Sequence, residues 1–393
     1  MSVGQVYAPE WRDHLDPLTG RRVRQLTGSP AEDYHLYFYN PSVTPDGKYL
    51  IFISERTGLS NLFRLDLQTG TIVQLTDAQP IRAEYWPFTD AVKGVGSCLP
   101  ALANGGQEVF YFEGPDLFAV EIESLKSRQL LSLSSDRRPS MLQANASGDT
   151  LVFATWDESL FMDRSKRAYA GEKFPDERFF QETTSTILRV DTASGQAEEV
   201  LCKEKFWINH VHLNPQDREL ILFCHEYSGL PDRMWLLNLT NGECAPIPGQ
   251  GADEWYEHEF WSSDGGRVCF HGGLLNDSTQ GFCGWCSSDG TDYIKAYHST
   301  SGRAYAHYNL HPDPDRQTMV TDGEARPGCI SRVHLRDGRQ VFEVLCRHDS
   351  YTFGDDQRCH PHPSFTPDGQ QVIFTSNRTG TSNVYLTDWD GEL

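Results

Sequence analysis

The chain is expected to fold as an all-β protein, a seven-bladed β-propeller whose ring is closed by an N-terminal strand added to the last blade. Three observations predict this. A β-rich unit is written almost identically near both ends, weaker copies lie between them, and an echo of its final strand precedes the first full copy. The clearest pair is Ser42–Phe63 and Ser364–Tyr385, in which Thr-Pro-Asp-Gly is followed by Leu-Ile-Phe-Ile-Ser or Val-Ile-Phe-Thr-Ser and then by Arg-Thr-Gly-x-Ser-Asn. Each reads as strand, Asp-Gly turn, apolar strand, second Gly turn and third strand, a meander with turn chemistry at the required places.

Weaker copies recur around Asn104-Gly-Gly106, Ala146-Ser-Gly-Asp149, Pro215-Gln-Asp217, Ser263-Asp-Gly265 and Asp313-Pro-Asp315, giving seven units. Short strands repeating every 40 to 65 residues, roughly, are the signature of a propeller. The spacing predicts a single domain over 1–393 with blades near 40–80, 82–137, 138–205, 206–255, 256–302, 303–356 and 357–393, and an insertion rich in charge and aromatics at 163–182. Asp66-Leu-Gln-Thr-Gly70 with Val73-Gln-Leu-Thr76 is echoed by Asp16-Pro-Leu-Thr-Gly20 with Arg24-Gln-Leu-Thr27, while the last unit stops without a fourth strand. A strand at 21–27 is therefore expected to complete the last blade and remove an exposed sheet edge.

Fifty-five acidic against 34 basic residues leave a net charge of −21. That balance argues against nucleic acid and anionic membranes as partners. Residues 1–30 carry charges throughout, and no later run approaches a membrane span, so a soluble cytoplasmic protein is expected. The ten cysteines sit mostly in strand-like runs such as Leu222-Phe-Cys224, as reduced thiols do, and Cys283-Gly-Trp-Cys286 is a lone C-x-x-C best read as structural.

Histidines recur at one phase of the repeat. His258 stands six before Asp264, His307 six before Asp313 and His362 six before Asp368, while His210 and His212 bracket that spacing before Asp217. Innermost propeller strands line the central channel, so residues at a common phase converge on the axis from different blades. His360 and His362, two apart, are expected on one face of a strand, with Gln357 reaching them from the preceding loop. Hydrogen-bonded or exposed histidines in a Pro-rich turn are the plainer account. With His307, however, three neutral imidazoles and an amide oxygen would suit a divalent first-row cation, whether manganese, iron, nickel or zinc. His35, Tyr37, Tyr39, His225, Glu226, Arg233 and Glu259 fall near the same face, and Arg233 is placed to meet a carboxylate bidentately.

These residues resemble the oligogalacturonate lyase family of intracellular, pectin-degrading seven-bladed propellers. The likeness runs nearly end to end. It is carried by Gln357 with His360-Pro-His-Pro-Ser-Phe-Thr-Pro-Asp368, by His258-Glu-Phe-Trp261, by Phe223-Cys-His-Glu226 followed by Arg233-Met-Trp235, and by Leu36-Tyr-Phe-Tyr39. The resemblance implies manganese ligands at His307, Gln357, His360 and His362, a base at His258 and a substrate-carboxylate partner at Arg233; His210, His225, Tyr37 and Tyr39 are expected to contact substrate from their place in the repeat. It implies β-elimination on di- and trigalacturonate. The chain departs from the family at Thr321-Asp-Gly323, where a Gly-Asp-Gly turn is usual, and over about 80–200.

Three other functions fit parts of the pattern. A non-catalytic TolB-like or WD-like scaffold would share the repeats but not the phased histidines. A metal-dependent hydrolase or lactonase would share the site but form no carbon–carbon double bond. The propeller half of a serine peptidase would need a G-x-S-x-G element, which is missing here.

Overall fold

The Thr-Pro-Asp-Gly turns explain why the repeat takes the form it does. In the computed structural model, Asp46 Oδ1 accepts hydrogen bonds from Thr44 Oγ1 and the Lys48 amide. Asp368 does the same with Thr366 Oγ1 and the Gln370 amide. Gly47 and Gly369 follow at φ of 72° and 68°, where a side chain would be strained. The strand after the turn is buried on both faces over Tyr49–Ser54, which accounts for its continuous apolar run.

The structure describes residues 2–80, 94–95, 100–103, 105–145, 147–157, 182–226, 232–299, 307–323, 326–351 and 357–390. The stretch expected as an insertion at 163–182 lies outside these residues, apart from Glu182. The described strands are all-β meanders in six hydrogen-bonded sheets, one of them eight-stranded. That sheet consists of the antiparallel runs Glu254–Ser299 and Tyr308–Arg347, joined by the single parallel pair Tyr297↔Arg339. The first sheet has Asp33–His35 as an edge strand, ahead of the expected start near 40, and Arg137–Pro139 belongs to the third sheet.

The N-terminal segment joins both ends of the chain. Strand Arg22–Gln25 pairs antiparallel with Asn383–Asp388, and Arg12–Leu15 adds outside it, while Val6–Tyr7 pairs with Ile72–Gln74 of the first sheet. The Gln-Leu-Thr echo has a physical basis. Thr76 Oγ1 donates to Asn61 Oδ1 and accepts the Leu62 amide, just as Thr27 Oγ1 donates to Asn383 Oδ1 and accepts the Val384 amide. Glu10 ties this segment to Arg56 and to the Gly28 amide.

Sheets that follow one another in sequence share apolar cores, as in Val152 and Ile187 against Val211 and Phe223, or Val320 and Ile330 against Val372 and Phe374. The first and last sheets share one too: Leu50, Phe52 and Phe63 pack with Leu26, Ile373 and Val384. Deleting residues 1–27 removes the fully buried Val23 and Leu26 together with a paired strand. Burial of those two side chains alone is worth roughly 3–6 kcal/mol. A marked fall in melting temperature or loss of soluble protein is expected, and a soluble truncation that melts like the full chain would contradict it.

Nine cysteines are described and none forms a disulfide; Cys283 and Cys286 are buried in one strand. Among the described residues no helix is long and apolar enough to cross a membrane.

Candidate metal centre and active site

A single tight turn organises the site. The Asn40 amide donates to the Tyr37 carbonyl, closing the turn Tyr37-Phe38-Tyr39-Asn40 just after the edge strand Asp33–His35 of the first sheet. Asn40 Nδ2 donates to the carbonyls of Pro100 and Leu142, and Asn309 Nδ2 donates to that of Phe38, so segments far apart in sequence are anchored to one loop. The Tyr37 ring is buried among imidazoles, with centroids 4.7 Å from His362, 6.1 Å from His210, 6.2 Å from His307 and 6.5 Å from His258.

His307, His360 and His362 come together beside it, each offering a ligating nitrogen within 4.8 Å of the others. His307 precedes strand Tyr308–Leu310 and is held from two sides by the buried Asp322. Its amide donates to Asp322 Oδ1 at 2.9 Å and its Nδ1–H to Oδ2 at 2.6 Å. That bond assigns the tautomer and leaves Nε2 for a ligand. Sequence reasoning missed Asp322 as a functional residue, although the departure noted at Thr321-Asp-Gly323 falls on it.

Contrary to the expectation from their spacing, His360 and His362 do not lie on a strand. They follow the 3-10 turn Gln357–Cys359 and precede the short strand Ser364–Phe365. They converge because His362 takes the left-handed conformation, φ 46°, in a Pro-flanked loop. The carbonyl of His362 is gripped by His35 Nε2–H at 2.7 Å, and His35 Nδ1 in turn accepts the Thr375 hydroxyl at 2.8 Å. Burial lowers His35 to about 4, so it acts as a neutral brace. His362 is pushed well below its ordinary value, first by burial and then by His307. Its Nε2 is buried and has no hydrogen-bond partner among the described residues, as suits a nitrogen reserved for a cation. Gln357 opens the turn, and its side chain lies outside the described residues.

His258 stands next to this group, its ring 4.7 Å from that of His307. It sits in strand Glu254–Trp261 where pairing with Val268–Leu274 slips between Glu257 and Phe260, and its φ is 54°. The bulge re-aims two successive residues. His258 meets Phe38 and His307, while Glu259 meets Arg233. His258 Nδ1 shares a 2.7 Å hydrogen bond with His271 Nε2, a partner the sequence reading did not single out. Burial, then His307 and His271, hold His258 well below the ordinary imidazole range. It is therefore neutral more completely, and less basic, than the ordinary pKa near 6.5 implies.

Arg233, 1% exposed, donates through Nε to Glu259 at 2.8 Å and through Nη1 to Glu226 at 3.3 Å. Two carboxylates of the protein thus meet its guanidinium. Burial opposes ionisation of Glu226, but Arg233 and His210 outweigh it and keep the carboxyl below its usual range. His210 links this network to the turn, with Nε2 3.4 Å from Glu226 and Nδ1 3.3 Å from the Tyr39 hydroxyl. Burial lowers His210 despite the two glutamates. His225 is set apart: its ring stacks on Phe206 at 3.8 Å, and its amide donates to the Arg233 carbonyl.

The site therefore joins a three-imidazole cluster, a neutral histidine beside it and a buried arginine–glutamate network. Such an arrangement can bind a divalent cation and move a proton at an adjoining atom.

Residues 165–391 match the family model described as oligogalacturonate lyase. The oligogalacturonate lyase of Dickeya dadantii (strain 3937) is 25% identical over 418 residues, covering 98% of each chain. A solved oligogalacturonate lyase in complex with manganese is 25% identical with a TM-score of 0.81, over 99% of this chain and 98% of that one. The crystal structure of the Vibrio parahaemolyticus oligogalacturonate lyase, 24% identical over 98% of both chains, has a TM-score of 0.83 and shows the same fold. By its sequence match over more than half its length, this chain belongs to the oligogalacturonate lyase family.

Proposed function

We propose that the protein is a manganese-dependent lyase that cleaves short oligogalacturonides, di- and trigalacturonate, by β-elimination in the cytoplasm. The observation that carries this reading is the meeting of His307, His360 and His362 from two separate segments, beside a neutral His258. Gln357 would complete the ligand set. The scaffold is a seven-bladed propeller over 1–393, closed by Arg22–Gln25 in the last blade. The pairing of that strand with Asn383–Asp388 and the core shared by the first and last sheets support it. The nine described cysteines, none of them in a disulfide, suit a reducing compartment.

When bound, the cation supplies Lewis-acid withdrawal at the uronate carboxylate, which makes the neighbouring C5 proton easier to remove. His258 Nε2 takes that proton, the C5–H electron pair becomes the C4–C5 double bond, and the C4–O bond breaks with its pair leaving on the oxygen of the departing sugar, which takes up a proton. Asp322 keeps His307 turned to its ligand nitrogen. Tyr37, Tyr39 and His210 form the wall that holds the sugar. Arg233, restrained by Glu226, Glu259 and the amide of His225, fixes charge behind His258. A surface with net charge −21 repels long polygalacturonate, whereas a short oligomer can reach a locally cationic site.

Purified protein incubated with digalacturonate should yield an unsaturated, ultraviolet-absorbing uronate whose mass shows no added water. A chelator should abolish this and manganese restore it. Saturated products would point to a hydrolase, and no product under any condition to a binding scaffold. Asp322→Ala, which removes both acceptor oxygens for His307, should weaken manganese binding roughly 10- to 100-fold in a titration of the metal-free protein. Unchanged affinity would dismiss the orienting role.

A further inference from the structure

His271 lies in the strand next to His258, its 0%-exposed ring 4.9 Å away and stacked on it. Its Nε2 is 2.7 Å from His258 Nδ1, and only one of the two nitrogens can carry the proton between them. The Glu257 carboxylate lies within 4.8 Å of the ligating nitrogens of both rings. Strand pairing sets Glu257 directly across from His271, so the bulge that displaces His258 leaves its neighbour in register.

We propose that His271 is a positioning residue for the base: its Nε2 accepts the Nδ1 proton of His258 and so keeps His258 Nε2 as a lone pair facing the substrate. This rests on the reading of His258 as base in the lyase reaction. A histidine that gains a proton at Nε2 must keep one at Nδ1, and that N–H needs an acceptor in a buried site. His271 provides it in the tautomer that carries its own proton on Nδ1, which is buried without a hydrogen-bond partner among the described residues, with the Glu257 carboxylate within 4.8 Å of the pair. The C5 proton ends on His258 Nε2, and the resulting imidazolium donates to His271. In the opposite tautomer His258 would bear its proton on Nε2 and could not act as base.

Wild-type activity on digalacturonate tests the lyase reading first, since no unsaturated product from the wild type would fail that reading and leave the positioning question to spectroscopy. With an active wild type, His271→Leu should lower kcat by roughly 100-fold at unchanged KM and manganese content. His271→Gln, whose amide oxygen can accept the same proton, should recover most of that loss. A leucine variant as fast as wild type, or a glutamine variant no better than leucine, would overturn the proposal. So would two manganese ions in the wild type and one in His271→Leu, because Glu257, His258 and His271 would then be ligands of a second ion. If His271→Leu does not fold, nitrogen-15 imidazole shifts of the zinc-loaded wild type decide. A protonated Nδ1 and bare Nε2 on His258 support the assignment, and the reverse sinks it.

Discussion

Replacing His258 with alanine should lower turnover by roughly 100- to 10,000-fold while bound manganese stays in place, whereas His362→Ala should lose both. The separation follows from what each imidazole touches. His258 is engaged through Nδ1 by His271, outside the three-histidine cluster, so its removal leaves the ligating nitrogens of His307, His360 and His362 where they are. His362 has no such partner for its buried Nε2 among the described residues, and its backbone is fixed by His35. Cutting away that ring removes a ligand without disturbing the loop that holds it. Metal content by elemental analysis, measured beside turnover, distinguishes the two variants. Equal metal loss in both would show His258 to be a ligand and leave the proton without its acceptor.

Arg233→Met should cost about 3–5 kcal/mol of stability. The cost does not come from losing a favourable pair, since a buried ion pair often barely outweighs its desolvation. It comes from the partners left behind. Glu259 is fully buried and Glu226 one-fifth exposed, and without the guanidinium both carry uncompensated charge. The pH dependence should reverse as well. In the parent protein Glu226 is held below its ordinary value, so its contribution is present above about pH 4.5 and fades as acid protonates it. In the variant burial raises its carboxyl instead, so the contribution of Glu226 itself is present in acid and is lost as pH rises above about 4.5. Urea unfolding at several pH values would show this, and adding Glu259→Gln should recover part of the loss. A variant as stable as the parent at neutral pH would mean the glutamates find other cations.

The repeat was legible because its chemistry is local. An Asp at the turn needs only the Thr before it and the amide after it, and the Gln-Leu-Thr echo needs only the Asn of the neighbouring strand. The phase of the histidines followed from the repeat, and the structure brings His307, His360 and His362 together. The route differs from the one expected, because alternation along a strand plays no part where the chain turns left-handed at His362. A positive φ at histidine leaves little trace in composition. The same holds for the bulge at His258, which decides that it meets His271 and that Glu259 meets Arg233.

By itself the amino-acid order determined the β class, the turns, the donation of the N-terminal strand and the histidines available for a cation, since each depends on contacts within or between adjacent units. Only the tertiary structure decided that Asp322 orients His307, that His35 braces the loop of His362, that His271 stands behind His258 and that Arg233 spends its guanidinium on two glutamates. Those partners are chosen by how distant segments close around the turn at Tyr37–Asn40, and a side chain's nearest neighbour across such a gap is set by packing rather than by spacing along the chain.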